Sequence, residues 1–297
     1  MMRIGLIGCG KWGQNYINTI ATMSEIELVA VCRQRSKERP AFLPINCDLI
    51  HDWQRFHRDI KVDGVIVATN SHSFGFAHDL LYYGVPVMAE KPCLLDSSEI
   101  ESLGLMTGKK GKLLVNYIHL FSPAFQMLKK IVAGKKIIRI CSSGFGPSKT
   151  REYFSPLWDW GPHCLSMILS LINQDPTDVY ISNHNKTKSG QTYRINLSFP
   201  GIKTTSIVGN GTIIKSRYLS VLYEDNGQIN EIVYDDLSSN KLKLNGTPVH
   251  FIDNKPLLHI AIEEFLAMIN SSQIDSSYIN LTMKITKILS QYEDISV

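Results

Sequence analysis

A short apolar run, Ile4 to Ile7, leads directly into Gly8-Cys9-Gly10-Lys11-Trp12-Gly13, and a helix-like stretch from Trp12 to Met23 follows. This G-x-G-x-x-G spacing at a strand-to-helix turn constrains the fold more than any other feature of the chain. The first glycine permits a tight turn, the second lets a pyrophosphate approach the backbone, and the third lets helix and strand pack closely. Unpaired N–H groups at the helix start then favour negative charge. The segment predicts a dinucleotide-binding βα unit, with Gly8, Gly10, Lys11, Trp12 and Gly13 at the cofactor.

The alternation continues from Arg3 to Val115, where short apolar runs at Glu27–Cys32, Gly64–Ala68, Val85–Ala89 and Lys112–Tyr117 are separated by helical stretches at Phe74–Tyr83 and Glu99–Thr107. Repeated βα units build a doubly wound parallel sheet. Beyond about residue 120, after a helical stretch at Ser122–Val132, the texture changes to strand-like runs at Ile137–Phe145, Asp178–Asn183, Tyr193–Phe199, Thr204–Val208, Tyr218–Tyr223, Ile229–Tyr234 and Lys241–Leu244. Asn210-Gly211, Asn226-Gly227 and Asn245-Gly246 read as hairpin turns, so a mostly antiparallel sheet is expected. Helices are expected at Trp158–Ile172, Leu257–Ile269 and Tyr278–Tyr292. The fold class is therefore α/β plus α+β: a Rossmann domain over residues 1–119, then an α+β domain with an open sheet over 120–297, whose last helix can pack back on the first domain.

Three further positions bear on chemistry. The end of the second strand reads Arg33, followed by Gln34-Arg35-Ser36-Lys37-Glu38-Arg39, where a carboxylate would otherwise accept hydrogen bonds from the adenosine ribose. Cations there suit a 2'-phosphate, so NADP is favoured over NAD. Glu90-Lys91-Pro92 follows the strand ending at Ala89 and puts an ammonium at the carboxyl end of a parallel sheet, where such folds bind ligands; seen alone, such a lysine is an ordinary surface residue. In Asp159-Trp160-Gly161-Pro162-His163, the acid and the imidazole fall one helical turn apart on one face. The imidazole can exchange a proton near neutral pH while the carboxylate orients it, although a capping Asp and a packed His would look the same.

Together these segments resemble the Gfo/Idh/MocA family of oxidoreductases, through Gly8–Gly13, Glu90–Pro92 and Asp159–His163 in that order. The likeness extends to Val67-Ala68-Thr69 and to Asn116-Tyr117-Ile118-His119. The resemblance implies hydride transfer between nicotinamide C4 and a carbonyl or hydroxyl carbon of a sugar, sugar nucleotide or polyol. It implies that Lys91 hydrogen-bonds the reacting oxygen, that His163 serves as acid/base, and that Asp159 assists orientation and substrate contact. It adds Thr69, Asn70 and Glu90 to the cofactor contacts and Asn116, His119 and Tyr153 to the substrate contacts. It also implies a cis Lys91-Pro92 bond and a homodimer or higher oligomer. Asn70 stands where relatives often have Pro, and Ser166 where many have Asp.

Other classes find less support. A formal net charge of +4 on 297 residues is too small a bias to imply a nucleic-acid or membrane partner. The six cysteines show no paired spacing, so neither a disulfide framework nor a metal site is expected. The opening residues do not read as a signal peptide, and a cytoplasmic location is the expectation. Two alternatives remain beside the sugar dehydrogenase: a reductase of imines or other non-sugar substrates, and a dinucleotide-sensing regulator without catalysis.

Overall fold

The structure, a computed structural model, describes residues 1–33, 37–69, 73–95, 97–105, 111–147, 155–172, 174–187, 190–273 and 275–292. The chain forms two compact units, one of Met1–Asn116 with Lys255–Thr286, the other of Tyr117–Asn254 with Lys287–Val297. In chain order the elements are β1 (Met2–Ile7), α1 (Lys11–Ile20), β2 (Ile26–Cys32), β3 (Asp48–Ile50), α2 (Arg55–Arg58), β4 (Gly64–Val67), α3 (Ser73–Tyr82), β5 (Val87–Ala89), α4 (Ser97–Gly104) and β6 (Leu113–Val115). A 3₁₀ turn at Ile118–Phe121 precedes α5 (Pro123–Val132), β7 (Lys136–Gly146), α6 (Pro156–Leu171), β8 (Asp178–Lys186), β9 (Gln191–Phe199) and β10 (Ile202–Asn210). The chain continues through β11 (Ser216–Asp225), β12 (Gln228–Asp235), β13 (Leu242–Leu244), β14 (Thr247–Pro248), α7 (Leu257–Asn270) and α8 (Ser277–Leu289).

In the first unit six strands pair in the order β3-β2-β1-β4-β5-β6, every pair parallel. The order reverses between β1 and β4, and ligands of such sheets bind at the carboxyl ends of the strands at that point. β4, β5 and β6 are buried along their whole length, as strands covered on both faces must be. That is why they read as continuous apolar runs in the sequence. The three-residue β3 lies at the sheet edge and is too short to show a pattern. α7 completes this unit far along the chain: Phe265 and Ile269 press so closely on Gly64 that a Cβ there would lie 2.8 Å from each.

In the second unit eight strands pair in the order β14-β13-β12-β11-β7-β10-β9-β8. All pairs are antiparallel except β7 with β10. β7 alternates buried and part-exposed residues from Ile140 to Gly146, the period of a sheet with one covered face. α6 covers that face, since a Cβ on Gly144 of β7 would sit 3.3 Å from Cys164 Sγ. Asn226-Gly227 and Asn245-Gly246 are hairpin turns with both residues at positive φ, as expected. Asn210-Gly211 is not a hairpin, because β10 and β11 flank β7 on opposite sides and do not pair. Instead Asn210 Oδ1 accepts the backbone N–H of Gln191 at 3.0 Å. No helix among the described residues is long and apolar enough to cross a membrane.

Candidate active site

The glycine loop leaves β1 with Gly8 at φ +95°. A Cβ at Gly8 would lie 2.9 Å from the carbonyl oxygen of Ala68, so this turn packs against the chain leaving β4. Gly13 has a stricter requirement, since its Cβ would fall 2.2 Å from the Gly8 carbonyl oxygen. Gly10 differs from both: nothing lies within 4 Å of the position its Cβ would take. Gly10 is also the N-cap of α1, with no side chain capping the helix and no acidic residue in its first turn. An open space over an uncapped helix start is a cradle suited to a pyrophosphate. Lys11 and Trp12 begin α1 beside it. Thr69, next to Ala68, has a buried hydroxyl with no partner among the described residues.

Arg33 follows β2 immediately, its N–H bonded to the carbonyl of Ile50 at 2.9 Å. Its Nη1 donates to the Glu38 carbonyl at 2.8 Å. Burial raises the Cys9 thiol above its ordinary value, and the Arg33 charge opposes that shift. Asn70 and the segment 34–36, which includes Arg35, lie outside the described residues, as does Tyr153.

Glu90 and Lys91 follow β5, and the Lys91-Pro92 bond is cis. Glu90 is buried and bonded from two directions. Tyr16 of α1 donates its hydroxyl to Oε1 at 2.7 Å, and the Asn116 amide donates to the same oxygen at 2.8 Å and to the Tyr16 hydroxyl at 2.9 Å. Burial pushes the Glu90 carboxyl above its ordinary value, with the Tyr16 and Asn116 hydrogen bonds and the Lys91 charge pulling back. Burial likewise pushes the Tyr16 hydroxyl well up, beside the Glu90 charge. The three side chains tie the middle of α1 to the ends of β5 and β6.

In the second unit Asp159, Trp160 and His163 lie on α6, with Asp159 in the first turn and only 8% exposed. Pro162 has no N–H to give the carbonyl four residues back, and Gly161 lets Leu289 approach to 3.0 Å of its Cβ position. The His163 ring meets the His119 ring edge-on, centroids 5.2 Å apart, and the Trp160 ring at 5.8 Å. His119 is buried in the 3₁₀ turn, and its Nδ1 lies 3.0 Å from the Tyr234 hydroxyl of β12. Ser166 Oγ donates to the His163 carbonyl at 3.0 Å.

A sequence model of the Gfo/Idh/MocA oxidoreductases, a family with an NAD-binding Rossmann fold, matches residues 2–118. Over those residues the chain is similar to the Gfo/Idh/MocA oxidoreductases. The rhizopine catabolism protein MocA of Rhizobium meliloti is 25% identical over 202 residues, covering 63% of this chain and 62% of that protein. The match thus spans less than two thirds of that relative's own length. A crystal structure from Magnetospirillum magnetotacticum MS-1 is 25% identical, with TM-score 0.87 over 98% of this chain and 99% of that one. UDP-N-acetylglucosamine 3-dehydrogenase from Acidithiobacillus ferrooxidans shares the fold, with TM-score 0.78 at 20% identity over 98% and 96%.

The expected residues divide between the units. Gly8, Gly10, Lys11, Trp12, Gly13, Arg33, Thr69, Glu90, Lys91 and Asn116 belong to the first, and His119, Asp159 and His163 to the second. Asn116 and His119, expected at the substrate, are 2% and 5% exposed and bonded to protein partners. Tyr16 and Tyr234, which hold Glu90 and His119, were not among the expected residues. Both sit in apolar runs whose periodicity marks them only as core.

Proposed function

We propose that this protein is an NAD(P)-dependent dehydrogenase or reductase, acting on a hydroxyl or carbonyl carbon of a small sugar, sugar nucleotide or polyol. The observation that carries this reading is the open cradle at Gly10, over the uncapped start of α1 and at the reversal point of the parallel sheet. When bound there, the dinucleotide supplies or accepts the hydride. The Gly8–Gly13 backbone holds the pyrophosphate, and Arg33 holds a 2'-phosphate, which favours NADP.

The remaining chemistry falls to side chains. Lys91 donates to the reacting oxygen and stabilises the negative charge that develops on it. His163 takes the hydroxyl proton in oxidation and returns it in reduction. Asp159, one turn earlier on the same helix, assists in orientation and in substrate contact. Asn116 and His119 act as supports in this reading, the first through Glu90 and the second through its contact with the His163 ring. The protein works as a homodimer or larger homo-oligomer, as the resemblance implies.

The test is a panel of polyols, sugars and sugar nucleotides with NADP or NAD, followed by absorbance of the reduced nicotinamide. One or more members should turn over. Lys91→Ala and His163→Ala should each lower kcat by about 100-fold or more with dinucleotide affinity nearly unchanged. Unchanged kcat in both variants would remove these residues from the chemistry.

A further inference from the structure

Arg217, the second residue of β11, lies over Trp160 of α6 and has no role in the proposed hydride transfer. Its guanidinium carbon lies 3.7 Å from the centroid of the Trp160 ring, which adjoins the His163 ring. Nη1 donates to the carbonyls of Phe145 and Ser216 at 2.9 and 2.6 Å. No carboxylate among the described residues pairs with the guanidinium, and its Nε and Nη2 hydrogens have no acceptor among them. Burial lowers its pKa from the ordinary value, and the charges of Asp236 and Asp159 oppose that shift without forming an ion pair.

A half-buried cation without an ion-pair partner is costly, since charge withdrawn from water needs an opposite charge or a full set of hydrogen bonds in exchange. The guanidinium fork presents parallel N–H groups that match a carboxylate or a phosphate, and stacking on an indole fixes its plane. We propose that Arg217, braced on Trp160, binds an anionic group of the substrate, a carboxylate or a phosphate ester, so that the preferred substrate is an acidic or phosphorylated sugar; this rests on placing His163 at the substrate. Arg217 is then a specificity-determining residue, and a neutral polyol leaves its charge unanswered.

The NADP-saturated protein is titrated by calorimetry with glucose, glucuronate and glucose 6-phosphate, and turnover of each is measured separately. At least one anionic probe should bind about tenfold or more tightly than glucose, and Arg217→Met should abolish the difference while leaving glucose and NADP binding in place. Arg217→Lys, which keeps the charge without the fork, should recover part of it. Preference for glucuronate alone assigns a carboxylate, and for glucose 6-phosphate alone a phosphate; either supports the proposal. Equal binding of the three probes, no binding of either anion, or an anion preference that survives Arg217→Met overturns it. If Arg217→Met does not fold, the wild-type comparison and Arg217→Lys still decide. Arg217-dependent anion binding in a protein that turns over nothing in the wider panel would sink the hydride-transfer reading alone. Turnover without anion preference would sink this proposal alone.

Discussion

Arg33 and Glu90 show how much a single side chain decides at the dinucleotide unit. Arg33 sits directly after β2, where a carboxylate would serve an unphosphorylated ribose. Arg33→Asp should therefore reverse the cofactor preference, weakening NADP by about tenfold or more relative to NAD in a direct binding titration; an unchanged ratio would remove Arg33 from cofactor choice. Glu90 makes a prediction in pH. Its folded pKa lies above the ordinary 4.5, so the folded state holds the proton more tightly than the unfolded chain does. The stability linked to that proton is complete below about 4.5 and is lost as pH rises through the raised value, by at most about 1.4 kcal/mol per pH unit. Glu90→Gln, which cannot ionise, should show a flatter fall in urea midpoint over that range than the wild type. Parallel curves for the two would mean that Glu90 titrates alike in both states.

At the scale of elements, the glycine turn between β1 and α1 is the least tolerant junction described. Gly13→Ala should force the Gly8 carbonyl to move, lowering dinucleotide affinity by about tenfold or more and costing about 1–3 kcal/mol of stability, measured by titration and by chemical unfolding. Wild-type affinity in that variant would show that the loop adjusts freely. This junction was legible in the sequence because its spacing is local, as were β1, β2 and β4 and the two Asn-Gly hairpins. β3 and α2 were not, since three or four residues carry no period. The Asn210-Gly211 hairpin failed for a different reason: a turn dipeptide specifies a local bend, while strand order is settled by distant pairing, here β7 between β10 and β11. The candidate site divides in the same way. Gly8, Lys91, Asp159 and His163 announced themselves through short motifs, whereas Tyr16, Arg217 and Tyr234 acquire meaning only from contacts made across long stretches of chain.

Over the whole molecule, the first unit is discontinuous, because Lys255–Thr286 joins Met1–Asn116. Leu258, Ala261, Ile262, Phe265 and Leu266 of α7 are all buried. Burial of each large apolar side chain contributes about 1.5–3 kcal/mol, against a typical domain stability of about 5–15 kcal/mol. A fragment of residues 1–116 should therefore show no cooperative thermal transition by circular dichroism; a sharp transition would mean that α7 is dispensable. The same discontinuity has a consequence for how the protein is made. Chains leave the ribosome from the amino end, and units tend to fold as they emerge. The glycine fingerprint between β1 and α1 is translated well before α7, the helix packed on Gly64 of β4, which follows only after β7 to β14 have been synthesised. The nascent parallel sheet therefore waits for α7 while all of β7 to β14 is made, and its apolar contact surface around Gly64 stays open for that interval.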